Sequence, residues 1–116
     1  MAGQHVGSAR ITRLPDEIDI ASCGAAEAEL LAALSVPGLV IADLTGTACC
    51  DSAGMRMLLA VHRRARSNGA TMRVAVTPCT SVARVMAILG LDRILSVYDS
   101  IEDARAHTDV RPLFPR

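Results

Sequence analysis

The fold is decided by residues 40–59, which read VIADLTGTACCDSAGMRMLL. An apolar run typical of a buried strand leads through a Thr/Gly loop into an amphipathic helix. Asp51 is a strong candidate for the N-cap of that helix, and Ser52 follows in the first helical position. This order predicts a small hydroxyl at the positive end of a helix, where an added phosphate would be tolerated. The same pair of residues also fits a plain helix cap.

The rest of the chain alternates between strand and helix patterns. Strands are predicted at residues 10–14, 17–20, 39–44, 71–76 and 94–98. Helices are predicted from Ser22 or Cys23 to Leu34, from Ser52 to about Ser67, from Pro78 to Gly90, and from Ser100 to His107. The alternation indicates an α/β fold with a mixed sheet of about four to five strands and about four helices.

Two faces can be distinguished on the helix that begins at Ser52. Residues at steps of three or four should pack on the sheet, namely Gly54, Leu58, Val61 and Ala65. A second, shallower stripe contains Met55, Leu59 and His62, and Met55 could face either the core or a partner. We assign no chemistry to His62.

Composition excludes several classes of function. With 116 residues, the chain is long enough for one domain. The formal net charge is zero and aromatic residues make up 2%, so neither charge nor stacking surface favours nucleic acid. No segment has the length of a membrane span and no signal-peptide core is present, so we expect a cytoplasmic protein with no membrane contact.

The four cysteines, Cys23, Cys49, Cys50 and Cys79, form no C-x-x-C pair, and we expect neither a metal site nor a disulfide. The simplest interpretation is four reduced thiols used as small apolar residues. The helix N-terminus should lower the pKa of Cys50 and Asp51 should raise it, so the direction stays open.

Two enzyme interpretations compete at this loop. Cys50-x5-Arg56 has the spacing of the tyrosine-phosphatase loop, but Asp51 inside the cradle would repel a phosphate. Cys50-x-Ser52-x-Gly54 matches the nucleophile elbow except at its first glycine, and that hydrolase fold needs about twice this length. We therefore expect no catalytic residue, no cofactor and no enzyme activity.

Residues 43–46 and 50–55 resemble the signature of the STAS domain, in particular that of bacterial anti-sigma factor antagonists. The resemblance continues in residues 15–21, 69–74 and 85–91, and it covers about residues 10–107. It implies a STAS domain at residues 10–107. The polar composition of residues 1–9 predicts a flexible lead, and residues 108–116, which have no periodic pattern, form a tail. Ala53 departs from the pattern, because many relatives have a second hydroxyl there.

The resemblance implies that Ser52 is phosphorylated by an ATP-binding anti-sigma factor serine kinase and dephosphorylated by a phosphatase. In its unmodified form the chain would bind the kinase and release a sigma factor. The implied partner-binding residues are Asp19, Asp51, Ser52, Ala53, Gly54 and Met55. Asp51 would orient the hydroxyl, and Gly54 would allow close approach. The alternative is a STAS scaffold or ligand-binding module that is not phosphorylated.

Overall fold

The computed structural model describes residues 3–6 and 9–106. Its strands are β1 (Gly3–Val6), β2 (Ala9–Arg13), β3 (Glu17–Ile18), β4 (Gly38–Asp43), β5 (Cys49–Cys50), β6 (Ala70–Ala75) and β7 (Ser96–Tyr98). Its helices are α1 (Cys23–Ala33), α2 (Ser52–Ser67), α3 (Ser81–Leu89), α4 (Leu91–Ile94) and α5 (Ile101–Ala106). The predicted mixed α/β fold is confirmed.

The main sheet has the strand order β1-β2-β4-β6-β7. Only the β1–β2 pair is antiparallel in this sheet, and β2, β4, β6 and β7 run parallel to one another. The ladder extends one residue beyond β2 and β4, because Leu14 N–H donates to Asp43 O at 3.0 Å and Leu44 N–H donates to Ala75 O at 2.9 Å. The loops that follow these parallel strands therefore meet at one edge of the sheet.

The two faces of the sheet have different cores. The larger core lies under α1, α2, α3 and α4, and Val40 and Ala42 of β4 face it. The smaller core lies under α5, where Ile11, Ile41 and Ala104 pack together. Consecutive β4 residues thus point to opposite faces, and both faces are apolar, as expected for a parallel strand buried on both sides.

Helix α2 agrees with the sequence at both ends. It begins at Ser52 after the Asp51 cap and ends at Ser67 before Asn68. The four residues predicted to face the sheet are all buried, which confirms that stripe: Gly54, Leu58, Val61 and Ala65. The Asn68 side chain donates to Leu34 O at 3.1 Å and so joins the ends of α2 and α1.

Three short elements, β1, β5 and α4, were absent from the sequence prediction. The flexible lead predicted for residues 1–9 differs from the structure at residues 3–6, which form β1 and pair with β2. The predicted tail at residues 108–116, and His107 at the predicted end of the last helix, lie outside the described residues. The domain boundaries stay a prediction.

The start of α3 differs from the sequence prediction, which is corrected here. The helix begins at Ser81 rather than at Pro78, because Thr80 is its N-cap and the Thr80 hydroxyl accepts a hydrogen bond from Ala83 N–H at 3.2 Å. Pro78 and Cys79 lie in the preceding loop, where Cys79 has a φ of 65°. A cap residue with its own hydrogen bond thus sets the helix start, and the proline does not.

Strands β3 and β5 form a separate parallel sheet of two strands, with Glu17 opposite Cys49 and Ile18 opposite Cys50. The first turn of α2 packs directly on this pair at Gly54. A Cβ added to Gly54 would lie 2.6 Å from Cys50 Sγ and 2.8 Å from Ile18 Cγ2. The absent side chain is therefore what allows the helix to approach both strands.

We expect Gly54→Ala to lower the free energy of unfolding by about 1–3 kcal/mol, since the new methyl overlaps two neighbours. Gly24→Ala in α1 is the matched control, because a Cβ there meets nothing within 4 Å. The control should leave stability unchanged or raise it slightly, because alanine favours a helix more than glycine does. Urea unfolding of both variants measures the difference, and equal midpoints would contradict this account of the packing.

Candidate functional site

The loop between β4 and β5 brings the candidate site to the carboxyl edge of the parallel strands. Asp43 is 2% exposed, and its Oδ1 accepts hydrogen bonds from Thr45 N–H at 2.9 Å and from the Thr45 hydroxyl at 2.6 Å. Its other oxygen, Oδ2, lies 3.6 Å from Nε of Arg13. A buried carboxylate thus folds the chain back immediately after the strand.

The second half of this loop is held from two sides. The buried Thr47 hydroxyl donates to Pro15 O at 2.8 Å, and Ala48 N–H donates to Asp16 O at 2.7 Å. From the other side, the Ser81 hydroxyl of α3 donates to Ala48 O at 3.0 Å. The chain therefore enters β5 and α2 from a position determined by two neighbouring segments.

Asp51 and Ser52 lie at the start of α2 as the sequence predicts. Asp51 Oδ1 accepts a hydrogen bond from Gly54 N–H at 3.1 Å, which is the bond expected of an N-cap. Ser52 is exposed, and its hydroxyl forms no hydrogen bond within residues 9–106. A free hydroxyl is thus presented to solvent at the helix N-terminus, with Ala53 half-buried beside it.

Asp19 directly follows the neighbouring strand β3 at the same edge. Asp51 N–H donates to Ile18 O at 3.0 Å, so the strand register places Asp19 beside Asp51. The Asp19 carboxylate accepts hydrogen bonds from Ser22 N–H at 3.0 Å, from the Ser22 hydroxyl at 3.1 Å and from Ala21 N–H at 3.0 Å. The Ser22 bonds lower the pKa of Asp19, which favours the charged carboxylate.

Two predicted partner-binding residues are corrected. Met55 is 1% exposed and belongs to the main core, so its side chain is not available to a partner. Gly54 is also buried, and it accommodates Ile18 and Cys50 of the same chain rather than an approaching protein. The helical period alone does not show that the core extends around α2 as far as Met55.

The sequence analysis missed Ile20, which is 80% exposed directly after Asp19. Asp16 and Glu17 are exposed on the same segment, and Asp51 is exposed next to it. Ser52 is therefore close to an acidic surface with one prominent apolar side chain. The pattern contains no signal for this exposure, because Ile20 is the last residue of the strand predicted at residues 17–20.

Cys50 is a poor nucleophile in this environment. Burial raises the pKa of its thiol to about 11, and the charges of Asp51 and Cys23 add to the increase. The sequence left the direction of the Cys50 pKa shift open. In the structure this pKa is raised, and the thiol is neutral near pH 7.

The backbone between Cys50 and Arg56 also differs from a phosphate cradle, because three of its N–H groups already have partners. Asp51 N–H donates to Ile18 O, Gly54 N–H to the Asp51 carboxylate, and Met55 N–H to Asp51 O at 3.0 Å. A phosphatase loop needs such groups free to bind phosphate oxygens. The geometry therefore argues against the phosphatase interpretation.

Among the described residues, no group of three His, Cys, Asp or Glu side chains is arranged to hold a metal ion. Within the same part of the chain, no helix has the length and apolar character needed to cross a bilayer. The four cysteines are all free thiols.

The comparisons with known proteins agree on one family. The model described as STAS domain matches residues 2–104. Among curated proteins, no relative matches the chain. An anti-sigma factor antagonist from Mycobacterium paratuberculosis has a similar solved structure, with a TM-score of 0.78 and 21% identity over 89% of this chain and 87% of that chain.

Two further solved structures are similar in fold. The anti-sigma factor antagonist SpoIIAA in its unphosphorylated form has a TM-score of 0.59 and 16% identity over 89% of this chain and 91% of that chain. The murine Solute Carrier 26 family member A9 anion transporter has a TM-score of 0.69 and 17% identity, with 88% of this chain and 18% of that chain covered. At these identities the likeness shows the fold.

Alkylation by iodoacetamide should separate the two adjacent cysteines. A thiol of pKa about 11 has about a hundredfold less thiolate at pH 8 than one at the ordinary value of 9.0. Labelling of Cys50 should therefore keep rising above pH 10, whereas exposed Cys49 serves as the internal control. Peptide mass spectrometry measures both rates. Burial alone would slow Cys50 at every pH, so a Cys50 inflection below pH 9 would contradict the raised pKa.

Removing the cap should destabilise α2. We expect Asp51→Ala to lower the free energy of unfolding by about 1 kcal/mol, because Gly54 N–H loses its acceptor. Asp51→Asn keeps an acceptor and should retain most of the stability. Thr80→Ala removes the corresponding bond in α3 and provides a matched cap loss away from Ser52. Thermal unfolding of the three variants tests this, and an unchanged Asp51→Ala protein would show that the cap contributes little.

Proposed function

Because the chain belongs to the STAS domain family, we propose that it is an anti-sigma factor antagonist controlled by phosphorylation of Ser52. In its unmodified form it binds an anti-sigma factor kinase, which then releases a sigma factor. Support comes from the family match over residues 2–104 and from the fold shared with anti-sigma factor antagonists. The proposed site of action is the cytoplasm, where the transcription machinery is found.

The observation that carries the proposal is the position of Ser52. It is exposed as the first residue of α2, and its hydroxyl has no hydrogen-bond partner in the described part of the chain. The adjacent Asp51 carboxylate holds the helix start through Gly54 N–H, which leaves the serine free to enter another protein's active site. A serine that served only as a cap would use its hydroxyl on the helix backbone.

In the proposed transfer, this chain supplies the acceptor oxygen and no catalytic residue. Ser52 Oγ attacks the γ-phosphorus of ATP bound to the kinase, forming the new O–P bond as the bond to ADP breaks. The hydroxyl proton passes to a base of the kinase, and the kinase-bound Mg²⁺ stabilises the phosphate charge. A phosphatase reverses the modification by hydrolysing the ester.

A phosphate on Ser52 should affect the complex more than the fold. It adds roughly 1.5 to 2 negative charges near the positive end of α2, which the free chain tolerates. In a kinase complex the same group would be desolvated near Asp51 and Asp19. Like charges at close range in such a contact cost several kcal/mol, so affinity should fall sharply.

The proposed contact surface consists of Asp19, Asp51, Ser52 and Ala53, together with the exposed Ile20. It omits Gly54 and Met55, since both are buried. The acidic character of the surface fits a partner with basic side chains, and Ile20 offers an apolar contact at its margin.

A STAS scaffold or ligand-binding module without phosphorylation is the second candidate. One observation favours it: the same fold covers 18% of the murine anion transporter chain, where it is part of a much larger protein of another kind. The fold is therefore compatible with roles other than a switch.

The effect of a Ser52 substitution on kinase binding should depend on the charge of the new side chain. Ser52→Ala should bind the cognate kinase as tightly as the unmodified protein, whereas Ser52→Asp should bind at least about tenfold more weakly, because its carboxylate reproduces part of the phosphate charge. Calorimetry measures both, and unfolding curves confirm that both variants fold. Ser67→Asp places the same charge at the other end of α2 and should bind normally.

Kinases that bind the unmodified chain can be found by testing the anti-sigma factor kinases of the source organism with ATP, using intact mass as readout. One added phosphate that disappears in Ser52→Ala supports the switch. Equal affinities for wild type, Ser52→Ala and Ser52→Asp would contradict it and favour the scaffold.

A further inference from the structure

The exposed face of α2 continues from Ser52 to an arginine one turn further along the helix. Arg56 is the fourth residue after Ser52 and is also exposed, whereas Gly54 and Met55 between them are buried. Residues four apart lie on the same side of a helix, with Cβ atoms about 5–6 Å from each other. Ser52 and Arg56 are therefore neighbours on the surface of α2.

Arg56 has no acidic partner on its own helix. Its surface neighbours are the residues three and four positions away, and none of these is charged: Ser52, Ala53, Leu59 and Ala60. In the described part of the chain, no carboxylate forms an ion pair with the Arg56 guanidinium. Ser52 thus has the only polar side chain within one turn of Arg56 along α2.

The direction of side chains on a helix favours contact between these two residues. A long helical side chain leans toward the N-terminus and covers the turn before its own Cα. The Arg56 side chain can therefore reach back over the position of Ser52. An anion N-terminal to a cation at this spacing is also the more favourable order for an ion pair on a helix.

The backbone at the start of α2 offers further hydrogen-bond donors to a group on Ser52. The Asp51 carboxylate accepts a hydrogen bond from Gly54 N–H, and Asp51 O accepts one from Met55 N–H. Within the described residues, the N–H groups of Ser52 and Ala53 have no acceptor. Two backbone donors and one guanidinium are therefore available within one turn of the Ser52 hydroxyl.

We propose that phosphorylated Ser52 is held by its own chain, through an ion pair between the phosphate and the Arg56 guanidinium. This inference rests on the phosphorylation proposed above. One exposed arginine does not select a free anion, but here the phosphate is attached covalently within reach, so its effective concentration at the guanidinium is high. The N–H groups of Ser52 and Ala53 donate to the remaining phosphate oxygens. The pair favours the dianionic phosphate and stabilises the start of α2 in the modified state.

The charges around the phosphate act on its second pKa in opposite directions. The acidic side chains Asp16, Glu17, Asp19 and Asp51 favour the monoanion and raise this pKa. Arg56 and the positive end of α2 favour the dianion and lower it. The contribution of Arg56 therefore equals the difference in phosphate pKa between wild type and a variant without the cation.

Phosphoserine introduced at position 52 during translation, with a suppressor tRNA, makes the test independent of any kinase. Phosphorus NMR titration of the full chain then gives the second pKa, which is about 6 for a phosphoserine without such contacts. Arg56→Gln should raise this pKa by about half a unit, because the cation that favours the dianion is lost. Arg56→Lys keeps the charge and should restore most of the difference.

Arg63→Gln is the matched control. Arg63 is exposed on the same helix, but it lies about 16 Å further along the helix axis than Ser52. Salt screens a charge at that distance, so this variant should leave the phosphate pKa within about 0.1 unit of wild type. All three substitutions are at exposed positions of α2, so the variants should fold.

Thermal unfolding gives an independent readout of the same pair. Each protein is compared with and without the phosphate on Ser52, so that any effect of the substitution on the unmodified fold cancels. Phosphorylation should lower the melting temperature of Arg56→Gln by about 2 °C more than that of wild type, because the phosphate loses its cation. Arg63→Gln should respond to phosphorylation as wild type does.

Two results would overturn the pairing. One is a phosphate pKa that is the same in wild type and in Arg56→Gln. The other is an equal change in Arg56→Gln and Arg63→Gln, which would indicate a diffuse effect of charge. Neither result bears on whether a kinase modifies Ser52. Conversely, a Ser52 that no kinase modifies would contradict the proposed function without changing the measured phosphate pKa.

Discussion

The candidate site depends on the close approach of α2 to strands β3 and β5 at Gly54. The two strands pair through their backbones, and their side chains at Ile18 and Cys50 occupy the space that a side chain on Gly54 would need. The same contact aligns the start of the helix, because Asp51 N–H bonds to Ile18 O. The absence of a Cβ at Gly54 thus allows Asp51, Ser52 and Asp19 to lie together at one edge.

This constraint separates two kinds of chemistry at one loop. The buried side, at Cys50, disfavours charge and keeps the thiol protonated. The exposed side, at Asp51 and Ser52, is hydrated and carries the cap and the free hydroxyl. A group transfer that uses the serine as acceptor fits this division, whereas attack by the cysteine requires a thiolate where the protein does not stabilise one.

Elements with local signals were predictable from the sequence. Helix α2 has a cap residue at its start and Asn-Gly at its end, so both boundaries follow from nearby residues. Strand β5 exists because it pairs with β3, a distant segment that no local pattern reports. Helix α4 has only four residues, too few to show a helical period. The burial of Met55 and the packing role of Gly54 belong to the same class, since each depends on what lies opposite α2. The position of Ser52 needed only the local pattern, whereas the acidic surface around it needed the strand register.

The small sheet also has a consequence for how the surface around Ser52 can vary. Its hydrogen bonds join backbone atoms, as in the bond from Ala48 N–H to Asp16 O, so they do not require particular side chains. The exposed residues along it, Asp16, Glu17, Ile20 and Cys49, are therefore free to change while the geometry around the helix start is preserved. Gene duplication could produce paralogues with the same scaffold and different surface chemistry. Under the function proposed for Ser52, such paralogues would differ in the partner that they bind.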